Sequence, residues 1–209
     1  MIVKSYLKTT LPALTGVEQQ RSLQQILDTK PKNSSIRVFG YGSLLWKPII
    51  SFRKYQKVIL KGWSRQVCNW TIHARGTSSN PGLVFGLNKD TNGSCEGLVF
   101  EFYEKSLLPD LKNLWAQEMH SNLYHPRWLP IFTQKEQYSV IAFVVNQNHP
   151  LYVSNIPDDE AADIICAASG IFGPCADYFT DTTTALKKMG LKDKNIENLT
   201  KLIKERKSR

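Results

Sequence analysis

No run of this chain approaches the roughly 18 uninterrupted apolar residues that a membrane-crossing helix needs, so no membrane partner is expected. Lys4 and Lys8 lead into no unbroken apolar stretch, so a secretory leader is not expected either. Cysteine is sparse. Cys68, Cys95, Cys166 and Cys175 are separated by 27, 71 and 9 residues and never form Cys-x-x-Cys. That spacing matches neither a zinc site nor a compact disulfide framework, and a chain of 209 residues does not need disulfides to stay folded. The four histidines, at 73, 120, 125 and 149, are scattered and form no His-x-x-x-His pair. Internal repeats and low-complexity stretches are missing too. The expectation is a reduced, cytoplasmic protein with no metal and no cofactor.

Positive charge is in excess, with 27 basic against 18 acidic side chains and a formal charge of +9. Part of it is local, since residues 201–209 hold five Lys/Arg and one Glu. A terminal basic run is commonly a solvated helix end or loose tail; the functional alternative is steering of anions. A nucleic-acid role also needs an aromatic or recognition-helix context beside the basic patch. The tail offers none, so no nucleic-acid partner is expected. Apolar residues at 42% supply a core, and 22% charged residues argue against disorder.

Hydrophobic periodicity orders the elements. Residues 17–30 read as a polar helix, broken by Pro31-Lys32-Asn33-Ser34-Ser35. Residues 36–40 form a short apolar strand ending in glycine. Residues 58–60 and 66–73 are two more strands, separated by Gly62-Trp63-Ser64-Arg65. Residues 76–82 read as a turn or flexible loop. Strands at 83–87 and 96–102 flank Asn92-Gly93, a good hairpin dipeptide. Apolar residues at 107, 108, 111, 114 and 115 switch to helical spacing. Strands at 126–132 and 138–145 follow, and from Asp158 the pattern is helical, interrupted at residues 170–173. Strands around one helix, then helices alone, give an α+β fold. Strands apolar on both faces, such as 96–102, fit a sheet closed on itself and covered outside. The expected organisation is an extension at 1–35 with a polar helix, then one domain at 36–209 with a helical C-terminal part.

Four places carry side chains or backbone suited to chemistry. In Gly40-Tyr41-Gly42-Ser43-Leu44, two glycines after a strand permit positive φ and close backbone approach. Successive amides there can cradle an anion or a polarised carbonyl, or the segment is simply a tight strand-ending turn. It is no dinucleotide fingerprint, because Leu45 stands where a third glycine is needed, and it lacks the Gly-Lys-Ser/Thr of a phosphate loop. Glu118 continues the stripe of Leu111, Leu114 and Trp115. An unpaired carboxylate among apolar side chains is costly or shifts its pKa upward, toward the range of a general base; alternatively, Glu118 reaches water at the helix end or pairs with Arg127. Arg75, beside Gly76-Thr77-Ser78-Ser79, suits a carboxylate clamp or a surface loop. Tyr178 suits a ligand hydrogen bond or a half-buried core position.

Taken together, these segments resemble the ChaC-type, glutathione-specific γ-glutamylcyclotransferases. The resemblance rests on Val38-Phe39-Gly40-Tyr41-Gly42-Ser43-Leu44-Leu45-Trp46-Lys47-Pro48, Gly62-Trp63-Ser64-Arg65 and Arg75-Gly76-Thr77 with Pro81-Gly82-Leu83. It continues through Glu96-Gly97-Leu98-Val99-Phe100, Leu114-Trp115-Ala116-Gln117-Glu118-Met119 and Tyr124-His125-Pro126-Arg127-Trp128. Ala142-Phe143-Val144, His149-Pro150-Leu151-Tyr152 and the segment from Ala167 to Tyr178 complete the series, in family order, over about residues 36–200. One departure is Gln117, where many relatives have arginine. The resemblance implies a small mixed β-barrel flanked by helices and conversion of glutathione to 5-oxoproline and cysteinylglycine. It implies Glu118 as the catalytic acid/base and residues 41–44 as the loop holding the γ-glutamyl group. Cyclotransfer on other γ-glutamyl amines or peptides, or a non-catalytic ligand cup on the same barrel, are the alternatives it leaves.

Overall fold

The computed structural model describes residues 13–32 and 34–208. The irregular segment expected before residue 17 therefore lies mostly outside the described residues. Contacts divide the chain into two compact units, one of residues 13–64 and 89–146, the other of residues 65–88 and 147–208.

The first unit opens with helix α1 (Gly16–Asp28). Its start is fixed by a capping box, in which the Thr15 amide donates to Glu18 Oε2 at 2.7 Å and the Glu18 amide to Thr15 Oγ1 at 3.3 Å. The helix is polar by sequence and buries only Leu23 and Ile26. Its stability comes largely from docking. The Trp128 indole donates to Ile26 O at 2.8 Å, the Trp115 indole to Ser22 Oγ at 3.3 Å, and the Leu14 amide to His120 O at 2.7 Å.

Strand β1 (Arg37–Gly40) is followed by β2 (Phe52–Thr71), β3 (Gly82–Phe102), helix α2 (Leu107–Glu118), β4 (Tyr124–Phe132) and β5 (Gln137–Val145). β1 runs antiparallel to β3, with Phe39 opposite Val99 and Gly40 opposite Leu98. It runs parallel to β5, with Val38 opposite Ile141, and β4 is antiparallel to β5 along its whole length. Phe39, Leu98, Phe100, Ile141 and Phe143 are all buried, as strands covered on both faces require. The strand order is β2-β3-β1-β5-β4, with a further β3–β5 pairing. The α+β class is as expected. The closed barrel is not: β2 and β4 end the order and do not pair with each other among the described residues, so the sheet is open.

Two segments expected between strands are interior to strands. Gly62-Trp63-Ser64-Arg65 lies inside β2, where Gly62 takes φ +81° and absorbs an irregularity without ending the strand. Asn92-Gly93 makes no hairpin, because β3 runs on to Phe102. Gly93 is there for space: a Cβ would collide with Ser64 Oγ and the Asp90 carboxylate. The Asn92 amide donates to Asp90 Oδ1 at 3.2 Å.

The second unit holds α3 (Asp158–Ala167), a two-stranded hairpin of β6 (Ser169–Gly170) and β7 (Gly173–Pro174), α4 (Cys175–Lys188) and α5 (Glu197–Lys207). The expected interruption at 170–173 is thus the tip of a hairpin. The basic C-terminal run is the end of α5, and part of it is tied down. Arg206 pairs with Asp159 at 2.7 Å and Asp163 at 2.6 Å, and Lys207 with Asp177 at 2.9 Å. The fully buried Arg65 pairs with Asp193. Among the described residues no helix is long and apolar enough to cross a membrane, and no group of three or more His, Cys, Asp or Glu is arranged to hold a metal ion.

Candidate active site

The segment that follows β1 turns at once into a 3₁₀ turn, Ser43–Leu45. Its own bonds run from the Leu45 amide to Gly42 O at 3.0 Å, and from the Trp46 and Lys47 amides to Ser43 O at 3.1 and 2.8 Å. The first amides of such a turn have no internal acceptor. Those of Gly42, Ser43 and Leu44 donate to nothing among the described residues. Gly40 is not there for positive φ, as the sequence pattern allows. It is there for closeness, since a Cβ would sit 2.7 Å from Phe100 Cε2. Gly42 likewise has a negative φ of −128°. The Tyr41 side chain is buried, and its hydroxyl donates to Phe143 O at 2.9 Å. Leu44 is buried as well, while Ser43 is half-buried.

Glu118 is the last residue of α2. The stripe that leads to it is largely as expected: Leu111, Leu114 and Trp115 are buried, whereas Leu108 is exposed. Trp115 meets the Phe143 ring edge-on at 5.0 Å. Phe143 therefore touches both the 40–44 turn, through its carbonyl, and the Glu118 helix, through its ring. Glu118 as a whole is half-buried. Desolvation of its carboxyl is the main influence and raises its pKa above the ordinary value; a hydrogen bond from Gln117 Nε2 to Oε1 at 2.9 Å opposes this in part. Among the described residues Glu118 makes no ion pair, with Arg127 or any other cation.

Arg75 and Tyr178 belong to the other unit. Arg75 donates its amide to Thr71 Oγ1 at 3.2 Å and its guanidinium to Pro174 O at 3.1 Å, so it is tied to the 169–174 hairpin. Tyr178 is buried in the first turn of α4, with its ring 5.8 Å from Phe85 and 5.7 Å from Phe179. Thus the turn and Glu118 share one unit and one aromatic neighbour, while Arg75 and Tyr178 belong to the other unit.

Sequence reasoning gave no role to Phe143 or Asp110. Phe143 carries no polar signal at all. Asp110 is buried and accepts the Ser51 amide at 3.0 Å, which steadies the start of the Glu118 helix. An acidic residue in a helix's first turn was the available signal.

Comparison with known proteins gives a consistent picture. The profile of the family described as ChaC-like protein matches residues 36–206. The chain is 31% identical over 194 residues to a glutathione-specific γ-glutamylcyclotransferase of Escherichia coli, covering 92% of this chain and 83% of the relative. It is 26% identical over 144 residues to human glutathione-specific γ-glutamylcyclotransferase 1, covering 68% of this chain and 65% of the relative. Its fold is similar to the crystal structure of a γ-glutamyl cyclotransferase specific to glutathione from yeast, with a TM-score of 0.71 at 20% identity, over 84% of this chain and 97% of that one.

Proposed function

Since the chain belongs to the family of ChaC-like proteins, we propose that it cleaves glutathione by cyclising the γ-glutamyl group, releasing 5-oxoproline and cysteinylglycine. The observation that carries this reading is Glu118, a carboxyl desolvated at the end of an apolar helix stripe and without a cationic partner among the described residues.

The reaction is intramolecular. The α-amine attacks the γ-carbonyl carbon of the same residue, a C–N bond closes the five-membered ring, and the amide bond to the cysteinyl nitrogen breaks. No enzyme nucleophile is consumed. An α-amine with a pKa near about 8 is mostly protonated at neutral pH, so it needs a base. Glu118, its pKa raised by burial, accepts that proton and returns one to the leaving cysteinyl nitrogen. Such acid/base assistance typically contributes about 10²–10⁴-fold. Bending the substrate so that the amine faces the carbonyl contributes further, up to roughly 7–11 kcal/mol for a well-oriented pair.

The 40–44 turn supplies the complementary charge stabilisation. The amides of Gly42, Ser43 and Leu44 donate to nothing among the described residues, which supports a role in holding the γ-glutamyl group or its developing oxyanion. The buried Tyr41 hydroxyl is committed to Phe143 O; its part is to hold the turn. A cytoplasmic location is part of this reading. It is supported by four cysteines that form no disulfide among the described residues.

The test is direct. Purified protein mixed with reduced glutathione releases cysteinylglycine and 5-oxoproline in equal amounts, and γ-glutamyl-alanine serves as the comparison substrate. Preferred turnover of γ-glutamyl-alanine assigns the chain to other γ-glutamyl amines, and no turnover of either overturns the reading.

A further inference from the structure

A groove of about 510 Å³ lies in the first unit, walled on one side by α1 and on the other by the start of β4. Neither Glu118 nor any residue of the 40–44 turn lines it. Part of its wall, from α1, lies outside the residues matched by the family profile. Its size falls within the roughly 300–1,000 Å³ of small-molecule sites.

The arginines single it out. Seven of the chain's arginines are among the described residues. Arg37 and Arg53 pair with Glu101, Arg65 with Asp193, and Arg206 with Asp159 and Asp163. Arg75 donates to Pro174 O. The two that remain, Arg21 and Arg127, make no hydrogen bond or salt bridge among the described residues, and both line this groove. Both are exposed, Arg21 on α1 and Arg127 on β4. Glu18, the acidic residue of the lining, accepts the Thr15 amide and hydroxyl at 2.7 and 2.8 Å and also attracts Arg21 electrostatically.

The rest of the lining suits an organic anion. Leu14, Ile26, Met119 and Pro126 give an apolar floor, of which Ile26 and Met119 are buried. Gln25, Asn122 and His125 add hydrogen-bonding groups. The walls are held in place by the indole bonds from Trp128 to Ile26 O and from Trp115 to Ser22 Oγ.

We propose that this groove is a binding site for a small organic polyanion of the di- or tricarboxylate class. Its acidic groups meet Arg21 on one wall and Arg127 on the other, and its carbon body lies on Ile26 and Met119. Guanidinium groups recognise carboxylates through paired, charge-assisted hydrogen bonds, and the apolar floor distinguishes a carbon-bearing anion from a bare one. The site does not depend on the reaction assigned above.

Citrate is the probe, with inorganic phosphate as the comparison and sodium chloride at matched ionic strength as the control. The indole N–H signals of Trp115 and Trp128 in a ¹⁵N-correlated spectrum report on the walls. The expected result is a saturable shift with citrate, weaker or absent with phosphate and absent with chloride. Arg21→Gln and Arg127→Gln each weaken citrate binding by about tenfold or more. Both keep the indole spectrum of the ligand-free protein and its turnover of glutathione in the absence of citrate. No saturable shift with citrate overturns the site, as does undiminished citrate binding in both variants. Tighter binding of phosphate than of citrate overturns the assignment to a carbon-bearing ligand.

Discussion

Two connections that follow strands use their polar groups in opposite ways. At residues 73–76 the backbone is stitched to the β6–β7 hairpin. His73 O and Ala74 O accept the Ile171 and Phe172 amides at 3.0 and 2.9 Å, and Arg75 donates to Thr71 Oγ1 and Pro174 O. At residues 40–44 the one long polar side chain, Tyr41, is committed to Phe143 O, but the next three amides donate to nothing among the described residues. The first connection spends its donors and acceptors on structure, as buried polar groups generally must. The second keeps donors in reserve, and its unit also holds a desolvated carboxyl without a counter-ion among the described residues. Unused hydrogen-bonding capacity is what separates the two.

Glu118→Gln tests that contrast most severely. The variant keeps the fold and loses about 10²–10⁴-fold in turnover, measured as 5-oxoproline released from glutathione. Undiminished turnover moves the chemistry away from the 40–44 unit. The same residue sets a pH dependence. Burial raises the Glu118 pKa, so the folded protein retains this proton at pH values where the unfolded chain has lost it. Stability from this group is therefore full below the unfolded value of about 4.5 and falls as pH rises through the raised one. The thermal midpoint of Glu118→Gln accordingly declines less than that of the parent as pH rises from about 4.5. A base works only when deprotonated. The acid limb of kcat/KM thus reports an apparent pKa above the ordinary carboxylate range.

Glycine contacts sharpen the comparison from the side of stability. A Cβ at Gly97 would lie 2.5 Å from Phe39 Cζ and 2.6 Å from Gly40 O, directly on the strand that feeds the 40–44 turn. A Cβ at Gly170 would meet His73 O and the Gly76 amide nitrogen, on the other connection. Both alanine variants are overpacked against backbone and lose about 1–3 kcal/mol in denaturant unfolding. They part in kinetics: Gly97→Ala lowers kcat beyond its effect on folded fraction, whereas Gly170→Ala leaves kcat per folded molecule unchanged. Equal loss of kcat in both removes the distinction between the connections.

Much of this was legible in the residues, and the exceptions have physical causes. The helix bearing Glu118 and the burial of Leu111, Leu114 and Trp115 follow from 3.6-residue spacing alone. The polar helix expected at 17–30 is α1, Gly16–Asp28. Asn92-Gly93 misled because a glycine inside a strand looks, in sequence, like a turn, while its real partner lies elsewhere in the chain. For Gly93 that partner includes Ser64. Sheet closure was unreadable for the same reason, since strand order is set by non-local pairing. Within the candidate site, the type of Glu118 and its phase were visible, but its partner Gln117 and the shared neighbour Phe143 depend on tertiary placement.

Smaller effects discriminate side chain from backbone within the two regions. Tyr41→Phe removes the hydroxyl that donates to Phe143 O, at a cost of about 0.5–1.5 kcal/mol in stability. The turn amides are untouched, so kcat falls only as far as the turn loosens, well short of the loss in Glu118→Gln. Tyr178→Phe is expected to change least. Its ring contacts with Phe85 and Phe179 are retained, and the aromatic burial that dominates its contribution is the same for phenylalanine. KM for glutathione is then unchanged. A several-fold rise in KM without a change in midpoint gives the Tyr178 hydroxyl a direct bond to substrate, and breaks the contrast drawn between the two units.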